Sequence, residues 1–371
     1  MKKVVIAFFS TLLIFCTLVF SLGTLSKSNM DTFKVAMVTD FADVNDASFN
    51  QACYEGGKGW AKANDIEFNY YKPSDISLSE RVKSLRLAID RGYKAILCPG
   101  YALGEAIAEV APEHPEVKFI GLDIYPGDFP RGFTLTDNIA IFNYHEEIAG
   151  YMAGYAAVKE GFRRLGYLGG IPAYPVIRFG YGYIQGIDAA AQELKAEVDV
   201  QYVYGGQFFG DSDIFKYIDN WYKVNHTEVV FSCGGGIYTS VALSAKENDG
   251  YMIGVDVDQA PVIDRDYGEG ICITSAMKGI KQTVIDKLDE LYYDHVWEKG
   301  ISYLGLVSSE HPEHNYVQLP MDTWRMKNFT VEDYKALVGE IMSGEKTVSE
   351  DAENEPAVSE YTTVTYRGSI K

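Results

Sequence analysis

Between Ala95 and Leu122 the sequence reads AILCPGYALGEAIAEVAPEHPEVKFIGL. The runs Ala95–Pro99 and Lys118–Leu122 are short, apolar and bounded by glycine, proline or charged residues, which predicts two buried strands. We expect a helix over Gly104–Ala111 between them. Two strands joined through a helix pair in parallel, and helices cover both faces of a parallel sheet. This unit therefore predicts an α/β fold.

The same alternation extends in both directions through most of the chain. Upstream, we expect strands at Lys34–Thr39 and Glu67–Tyr71. Each is followed by a helix, at Ser48–Asn64 and Leu78–Arg91. After a helix over residues 146–159 the pattern restarts, with further strands at Arg164–Leu168, Asp199–Tyr204, Glu228–Ser232, Tyr251–Val255 and Ile271–Thr274, and helices at Ile177–Glu193 and Gly279–Trp297. The sequence predicts two doubly wound parallel-sheet lobes. Because ligands bind beyond the carboxyl ends of such strands, the cleft between the lobes is the expected site.

Composition narrows the classes of function. The 371 residues suffice for two domains. The formal net charge is −19, from 33 Lys+Arg against 52 Asp+Glu, and a field of that sign repels nucleic acids. No HExxH or CxxC motif is present, so we expect no metal, no redox pair and no cofactor. The cysteines are widely spaced, and the four outside the first apolar run are expected as buried thiols: Cys53, Cys98, Cys233 and Cys272.

The two ends of the chain differ from its body, which we place at residues 31–344. Residues 1–30 begin with two lysines, continue through an uncharged apolar run over Val4–Leu22 and end in small and polar residues. This pattern is typical of a signal peptide, although the run is nearly long enough for a membrane anchor, and lipidation at Cys16 also stays open. In each case the body is exported, to the periplasm or the outer face of the cell membrane. Residues 345–371 are acidic and predict a disordered tail.

Polar residues follow the first predicted strand. Asp40 directly follows it, and Asp46, Ser48, Phe49 and Asn50 come at the start of the next helix. Asp46 or Ser48 is a sensible N-cap, which is the structural alternative to a role in binding. An aromatic residue at this position suits a flat ligand, and Asn50 offers both a donor and an acceptor.

The later strand ends carry a second set of candidates. Asp123 and Asp256 directly follow predicted strands, where a carboxylate can accept hydrogen bonds from a vicinal diol or cap the next helix. Gly234–Gly236 is a strand-to-helix turn of a kind that can cradle phosphate, but it matches neither GxxxxGK[ST] nor GxGxxG; close approach of backbone to a ligand and a simple tight turn are the other interpretations. Lys278 lies just past a strand, where it could donate to a ligand hydroxyl, although a solvated lysine is the simpler expectation.

Six motifs occur in the order of a known family: KVAMVTD at Lys34–Asp40, DASFNQ at Asp46–Gln51, EVKFIGLD at Glu116–Asp123, LGYLGGIPAYPVIRF at Leu165–Phe179, GVDVDQ at Gly254–Gln259, and ITSAMK ending at Lys278. On these motifs the chain resembles the basic membrane protein family, the nucleoside-binding substrate-binding lipoproteins of ABC transporters. The resemblance implies a type I periplasmic-binding-protein fold with two lobes joined by a hinge. Lobe 1 would hold residues 31–140 and a returning segment after residue 275, and lobe 2 residues 146–274 with part of the C-terminal region.

The resemblance also implies a purine nucleoside in the cleft and assigns residues to its base. Phe49 would stack on the base, and Asp46 and Asn50 would read polar positions around it. Phe208, in GGQFFGD, would supply the second stacking ring, with Phe209 as the alternative.

The resemblance also assigns three residues to the backbone approach and the sugar, and it implies a function for the whole protein. Gly235 would bring backbone close to the ligand, Asp256 would clamp the ribose diol, and Lys278 would donate near the 5′ end. The family comparison implies an extracytoplasmic binding protein without catalysis that delivers its nucleoside to a permease and its ATPase, held at the membrane through its N-terminal segment. A binding protein or sensor for another small ligand, such as a sugar or signalling molecule, is the alternative on the same fold. An exported hydrolase, such as a nucleoside hydrolase, is a third class: Asp40, Asp43 and Asp46 could hold calcium, but their spacing matches no calcium-binding loop.

Overall fold

The structure is a computed structural model that describes residues 33–40 and 42–371. Its strands, in chain order, are β1 (Lys34–Val38), β2 (Glu67–Tyr71), β3 (Ala95–Pro99), β4 (Lys118–Leu122), β5 (Ile139–Tyr144), β6 (Arg164–Gly169), β7 (Val198–Tyr204), β8 (Val229–Cys233), β9 (Tyr251–Asp256), β10 (Cys272–Lys278), β11 (Gly300–Leu304), β12 (Val317–Gln318) and β13 (Thr362–Ser369). Its α-helices are α1 (Phe49–Ala63), α2 (Leu78–Asp90), α3 (Gly104–Val110), α4 (Glu146–Glu160), α5 (Tyr174–Leu194), α6 (Ser212–Lys223), α7 (Tyr238–Glu247), α8 (Ala260–Asp266), α9 (Ile280–Asp289) and α10 (Val331–Ser343).

The strands form two sheets, one in each lobe. The first has the order β11-β5-β4-β3-β1-β2 and the second the order β12-β10-β9-β8-β6-β7-β13. All neighbouring strands are parallel except β10 and β12, which are antiparallel. Every residue of Ala95–Pro99 is buried, as expected for a central strand with helices on both faces. The predicted α/β class with two parallel-sheet lobes is confirmed.

The chain passes between the lobes three times, between β5 and α4, between β10 and α9, and between β11 and β12. After the second passage α9 packs on α1 of the first lobe, where Asp289 Oδ1 accepts a hydrogen bond from Trp60 Nε1 at 2.6 Å. Tyr144 Oη donates to Thr283 Oγ1 at 3.0 Å beside it. The segment after β10 therefore returns to the first lobe, and the segment after β11 returns to the second.

Helices α4 and α5 pack unusually closely behind the second sheet. Gly150 on α4 faces the backbone of Phe179, and Gly182 on α5 faces the backbone of Glu147. A Cβ at either glycine would collide with the partner helix. This close approach fixes α5, which begins at the cleft and carries three residues that line it, Pro175, Val176 and Phe179.

Strand β13 corrects the sequence prediction of a disordered tail over residues 345–371. It pairs in parallel with β7, with Thr362 opposite Val198 and Tyr366 opposite Tyr202. The rings of Tyr366 and Tyr202 lie 5.1 Å apart. The acidic residues before it make the average composition of the tail resemble that of a disordered segment. Within the tail, however, the β-branched and aromatic residues of Thr362–Arg367 (TTVTYR) favour a strand. The prediction is wrong for Thr362–Ser369.

Other elements also differ from the expectation. The helix predicted over Gly279–Trp297 ends at Asp289, and one π-helical turn follows over Glu290–Asp294. The sequence reading missed β5, β11, β12 and α10. The signal or anchor predicted at residues 1–30 lies outside the described residues. Among the described residues, none of the helices combines the length and the apolar character needed to cross a membrane.

Candidate functional site

A cavity of about 700 Å³, counted with the solvent in its mouth, lies between the lobes. The carboxyl ends of strands from both sheets surround it, and the volume is in the range of sites for small organic ligands. It is lined by all nine candidates from the sequence: Asp40, Asp46, Phe49, Asn50 and Asp123 from the first lobe, and Phe208, Gly235, Asp256 and Lys278 from the second. Their contact with a ligand stays a prediction.

Each lobe contributes a phenylalanine to the cavity. Phe49 is the first residue of α1, and Phe208 lies in the loop between β7 and α6. The Phe208 ring lies against Gly234 and Gly170, and a Cβ on Gly234 would come within 2.8 Å of its Cδ1. Phe209 is 61% exposed and does not line the cavity, whereas Phe208 does.

The carboxylate of Asp46 organises the first turn of α1. It accepts backbone hydrogen bonds from Ser48 at 3.0 Å, Asn50 at 3.1 Å and Gln51 at 3.0 Å. The N-cap alternative therefore describes the contacts of Asp46, whereas the Ser48 side chain makes no capping bond. Asp46 also accepts from Asn50 Nδ2 at 3.3 Å, and this leaves Asn50 Oδ1 buried without a hydrogen-bond partner.

Three charged side chains meet at the base of the cavity. Lys278, only 5% exposed, donates to the Asp123 carboxylate, and its Nζ lies 3.3 Å from Asp256 Oδ1. The expectation of a solvated lysine is wrong. Burial by itself would lower the pKa of Lys278, but the charges of Asp123, Asp256 and Glu146 outweigh burial and raise it. The side chain is therefore an ammonium ion.

Aromatic rings enclose the same ammonium. Its Nζ lies 4.7 Å from the ring centroid of Phe49, 5.4 Å from that of Phe179 and 5.6 Å from that of Tyr144. These distances are within the range of cation–π attraction. Phe49 thus contacts the charge cluster as well as the cavity.

The two carboxylates at the strand ends, Asp256 and Asp123, differ in which of their oxygens already accept hydrogen bonds. Asp256 Oδ2 accepts from Ser48 Oγ at 2.5 Å, and Asp123 Oδ1 is buried with no hydrogen-bond partner. Both residues have positive φ, +67° and +54°, a conformation that aspartate tolerates better than most residues. Neither is the N-cap of the next helical segment, whose caps are Gln259 and Tyr125, so the capping alternative does not describe them.

Two direct hydrogen bonds beside this cluster join the lobes. One is the bond from Ser48 Oγ to Asp256. The other runs from Gln259 Nε2 to Ala47 O at 3.0 Å, while Gln259 Oε1 accepts from Val255 N at 3.1 Å. The start of α1 is thereby held against the end of β9, and the cleft is closed on this side.

Sequence reasoning missed several residues of the wall. Gly100 and Tyr101 follow β3 directly, so the strand-end rule that found Asp40 could have found them. Gly100 has φ +101°, and a Cβ there would lie 3.1 Å from Asp40 Oδ2. Asp40 Oδ1 in turn accepts from Ala42 N at 2.9 Å. Phe179 lies on the apolar, buried face of α5, and nothing in its neighbouring sequence distinguishes it from an ordinary core residue.

A second buried charge cluster lies at the first passage between the lobes. Glu146, fully buried, accepts from Tyr125 Oη at 3.0 Å and from Arg178 Nε at 3.0 Å. Arg178 also donates to Glu147. Burial, reinforced by the charge of Asp123, raises the pKa of Glu146 to about 8.

One group of possible metal ligands occurs among the described residues, beside the second charge cluster. His145, Glu147 and Glu350 bring donor atoms within 4.8 Å of one another, but the Arg178 guanidinium already contacts Glu147 as the local cation. The thiols of the body are free and buried, and burial raises their pKa: Cys53, Cys98, Cys233 and Cys272.

Comparison with proteins of known fold agrees with this geometry. The solved structure of a solute-binding protein of an ABC transporter system from Aeropyrum pernix K1 matches with a TM-score of 0.67 at 19% identity, covering 86% of this chain and 88% of that one. A solute-binding protein from Conexibacter woesei matches with a TM-score of 0.64 at 19% identity, covering 86% and 99%. At this identity the likeness shows the fold, which is that of periplasmic binding proteins.

Sequence comparison identifies the family. The chain is 30% identical over 250 residues to the ABC transporter nucleoside-binding protein BmpA of Lactococcus lactis, covering 64% of this chain and 67% of that protein. It is 27% identical over 313 residues to basic membrane protein B of Borreliella burgdorferi, covering 82% and 86%. A family model described as ABC transporter substrate-binding protein PnrA-like matches residues 33–319. The chain therefore belongs to this PnrA-like family of ABC transporter substrate-binding proteins, whose members bind a substrate and are not enzymes.

Proposed function

We propose that this protein binds a purine nucleoside in the interlobe cavity and delivers it to the permease of an ABC transporter. The observation that carries the proposal is a cavity with one phenylalanine from each lobe and two buried acceptors, Asn50 Oδ1 and Asp123 Oδ1, that have no partner in the described protein. Buried acceptors without partners are costly, and a ligand with donors at these points would satisfy them. One relative is named as a nucleoside-binding protein, which supports the same ligand class.

The base would lie between Phe49 and Phe208. Aromatic side chains can stack on any nucleobase, because every base has a flat π-face, and each such contact contributes roughly 1–3 kcal/mol. Asn50 Oδ1 would accept from an N–H of the base. Asp46 would act indirectly, since its carboxylate already holds Asn50 and the helix start.

The ribose would lie toward the charge cluster. A carboxylate can accept two hydrogen bonds from vicinal hydroxyls, and Asp256 and Asp123 are the carboxylates at the strand ends. Lys278 would stabilise both carboxylates and donate to a sugar oxygen. Gly235, with φ +52°, would bring backbone close to the ligand.

The charge of the wall favours a nucleoside over a nucleotide. The cavity is lined by four carboxylates and one ammonium: Asp40, Asp46, Asp123, Asp256 and Lys278. A phosphate would meet this excess of negative charge in a partly desolvated space, where repulsion is stronger than in water. We expect adenosine, guanosine or inosine to bind far more tightly than AMP.

Isothermal titration of the ligand-free protein with nucleosides, AMP, ribose and hexoses tests the proposal. The expected result is one site for a purine nucleoside and at least about 100-fold weaker binding of AMP, a difference of about 2.7 kcal/mol. Tight binding of a free sugar with no binding of nucleosides would favour the alternative ligand class. Equal affinity for adenosine and AMP would contradict the role given to the acidic wall.

Delivery requires an exported protein and a matching permease. Closure of two lobes around a ligand presents a shape that differs from that of the open protein, which a permease can distinguish. We propose that the protein works on the outer side of the cell membrane. Stimulation of the reconstituted transporter's ATPase by the nucleoside-loaded protein, and not by the ligand-free protein, would be the expected result.

A further inference from the structure

The loop that presents Phe208 is supported by a segment outside the range matched by the family model. The loop covers residues 205–210, between β7 and α6. Strand β13 runs along β7, with Ser369 opposite Tyr204. Beyond the strand, Ile370 N donates to Tyr204 O at 2.8 Å. The end of β13 therefore arrives where the Phe208 loop begins.

The residue that follows makes direct contacts with the loop. Lys371 Nζ donates to Asp211 Oδ2, and a Cβ on Gly206 would lie 3.0 Å from Lys371 Cβ. Asp211 is the N-cap of α6, since its Oδ1 accepts from the backbone of Asp213 and Ile214 at 3.0 Å each. Lys371 thus contacts both ends of the loop, one by packing and the other by an ion pair.

Asp211 is also hydrogen-bonded to the loop residue before Phe208, and that residue is bonded in turn to the one after it. Gln207 Nε2 donates to Asp211 Oδ2 at 2.9 Å and to Phe209 O at 2.8 Å. One carboxylate oxygen therefore receives both Lys371 and Gln207. The two neighbours of Phe208 are fixed through it, while the ring itself lies against glycine backbone.

We propose that β13 and Lys371 position the Phe208 ring in the cavity, with Lys371 acting through Asp211 and Gln207. The proposal rests on the proposed function, because it assigns the strand a part in binding. Lys371 does not line the cavity and is a positioning residue. Without its contacts the loop would spend part of its time in arrangements that do not present the ring, and apparent affinity falls in proportion to the fraction that does.

The test uses the described chain with substitutions at Lys371. Lys371→Ala should weaken adenosine binding roughly two- to five-fold, the scale of a partly exposed ion pair. Lys371→Arg should restore it, because a guanidinium also donates to a carboxylate. Arg367→Ala is the matched control: Arg367 lies on the same strand, bonds Gln201 instead, and should change affinity by less than about two-fold.

Two further measurements separate positioning from general stability. In a Phe208→Ala background, Lys371→Ala should cause no further loss of affinity, whereas a general structural effect would persist there. Hydrogen exchange of the amides in residues 205–210 should be faster in Lys371→Ala than in the wild type, with no ligand present. Unchanged exchange would overturn the proposal, as would faster exchange with unchanged affinity or an equal loss in the Phe208→Ala background. If the wild type binds no nucleoside, the proposed function fails, while exchange still decides whether Lys371 holds the loop.

Discussion

Replacing Asp256 with asparagine tests the diol clamp with little disturbance of the fold. Asparagine tolerates the positive φ of this position, as aspartate does. Its side-chain oxygen can still accept from Ser48 Oγ, so the contact between the lobes is kept. Lys278 keeps its bond to Asp123. The change therefore removes one charge, one acceptor and the ion pair of Asp256 with Lys278, and leaves the packing in place.

The expected loss of affinity follows from the hydrogen bonds to the sugar. A carboxylate can accept from both hydroxyls of a diol, while an amide offers one acceptor and an unwanted donor. A hydrogen bond to a charged group contributes roughly 1.5–3 kcal/mol. Losing one such bond weakens adenosine binding by about 10- to 150-fold. We expect the free energy of unfolding to fall by roughly 1.5–3 kcal/mol, since a neutral hydrogen bond to Ser48 replaces a charge-assisted one and Lys278 loses one of its two carboxylate partners.

Titration calorimetry with adenosine and 2′-deoxyadenosine measures the effect, and urea unfolding checks the fold. The wild type should lose much affinity when the 2′ hydroxyl is removed, whereas Asp256→Asn should lose little more. Asp258→Asn is the matched control, because Asp258 lies in the same loop and bonds Thr323 outside the cavity. The diol clamp is refuted if folded Asp256→Asn binds adenosine as tightly as the wild type, or if the 2′ hydroxyl contributes equally in both proteins.

Three further changes have expected outcomes. Lys278→Met should lower the free energy of unfolding by roughly 3–5 kcal/mol in urea titrations, because its two carboxylate partners remain buried without a cation, while Lys281→Met on the exposed face of α9 should have little effect. Gly170→Ala should weaken nucleoside binding in calorimetry because its Cβ would displace the Phe208 ring; Gly59→Ala, whose Cβ meets open space, should not. The pKa of Glu146 is raised from 4.5 to about 8, so stability should fall as pH rises through that range, and Glu146→Gln should flatten this fall in unfolding measured at pH 5, 7 and 9. An unchanged pH profile in that variant would mean that Glu146 stays ionised beside Arg178.

The strand-end rule explains why so much of the site could be predicted. Asp40, Asp123, Asp256 and Lys278 are far apart in sequence, but each ends a parallel strand or lies within two residues of its end, and parallel strands direct their carboxyl ends to one edge of the sheet. Short apolar runs such as Ala95–Pro99 locate those ends to within a residue. The candidate residues therefore meet in one cavity for a topological reason that periodicity reveals.

Partners across the cleft could not be predicted in the same way. The bond between Ser48 and Asp256 spans 208 positions and depends on how the two lobes face each other. The local pattern allows either Asp46 or Ser48 as the helix cap, and Asp46 takes the capping bonds while Ser48 bonds across the cleft. Strand β13 could not be recognised from the average composition of residues 345–371, because the acidic residues before Thr362 dominate that average. Local patterns specify elements, whereas pairings between distant elements depend on the assembled fold.

The charge cluster links ligand binding to closure of the lobes. Asp123 belongs to the first lobe, and Asp256 and Lys278 belong to the second, so the contact of Asp123 with Lys278 exists only when the lobes meet. Desolvating such charges costs about as much as their attraction returns, and the ion pair by itself gives little net drive to close. Asp123 Oδ1 and Asn50 Oδ1 remain without donors in the closed cleft, which adds a further cost. A ligand that donates to both atoms removes that cost in the closed state alone, and this difference in interaction between the two states is what shifts the equilibrium toward closure.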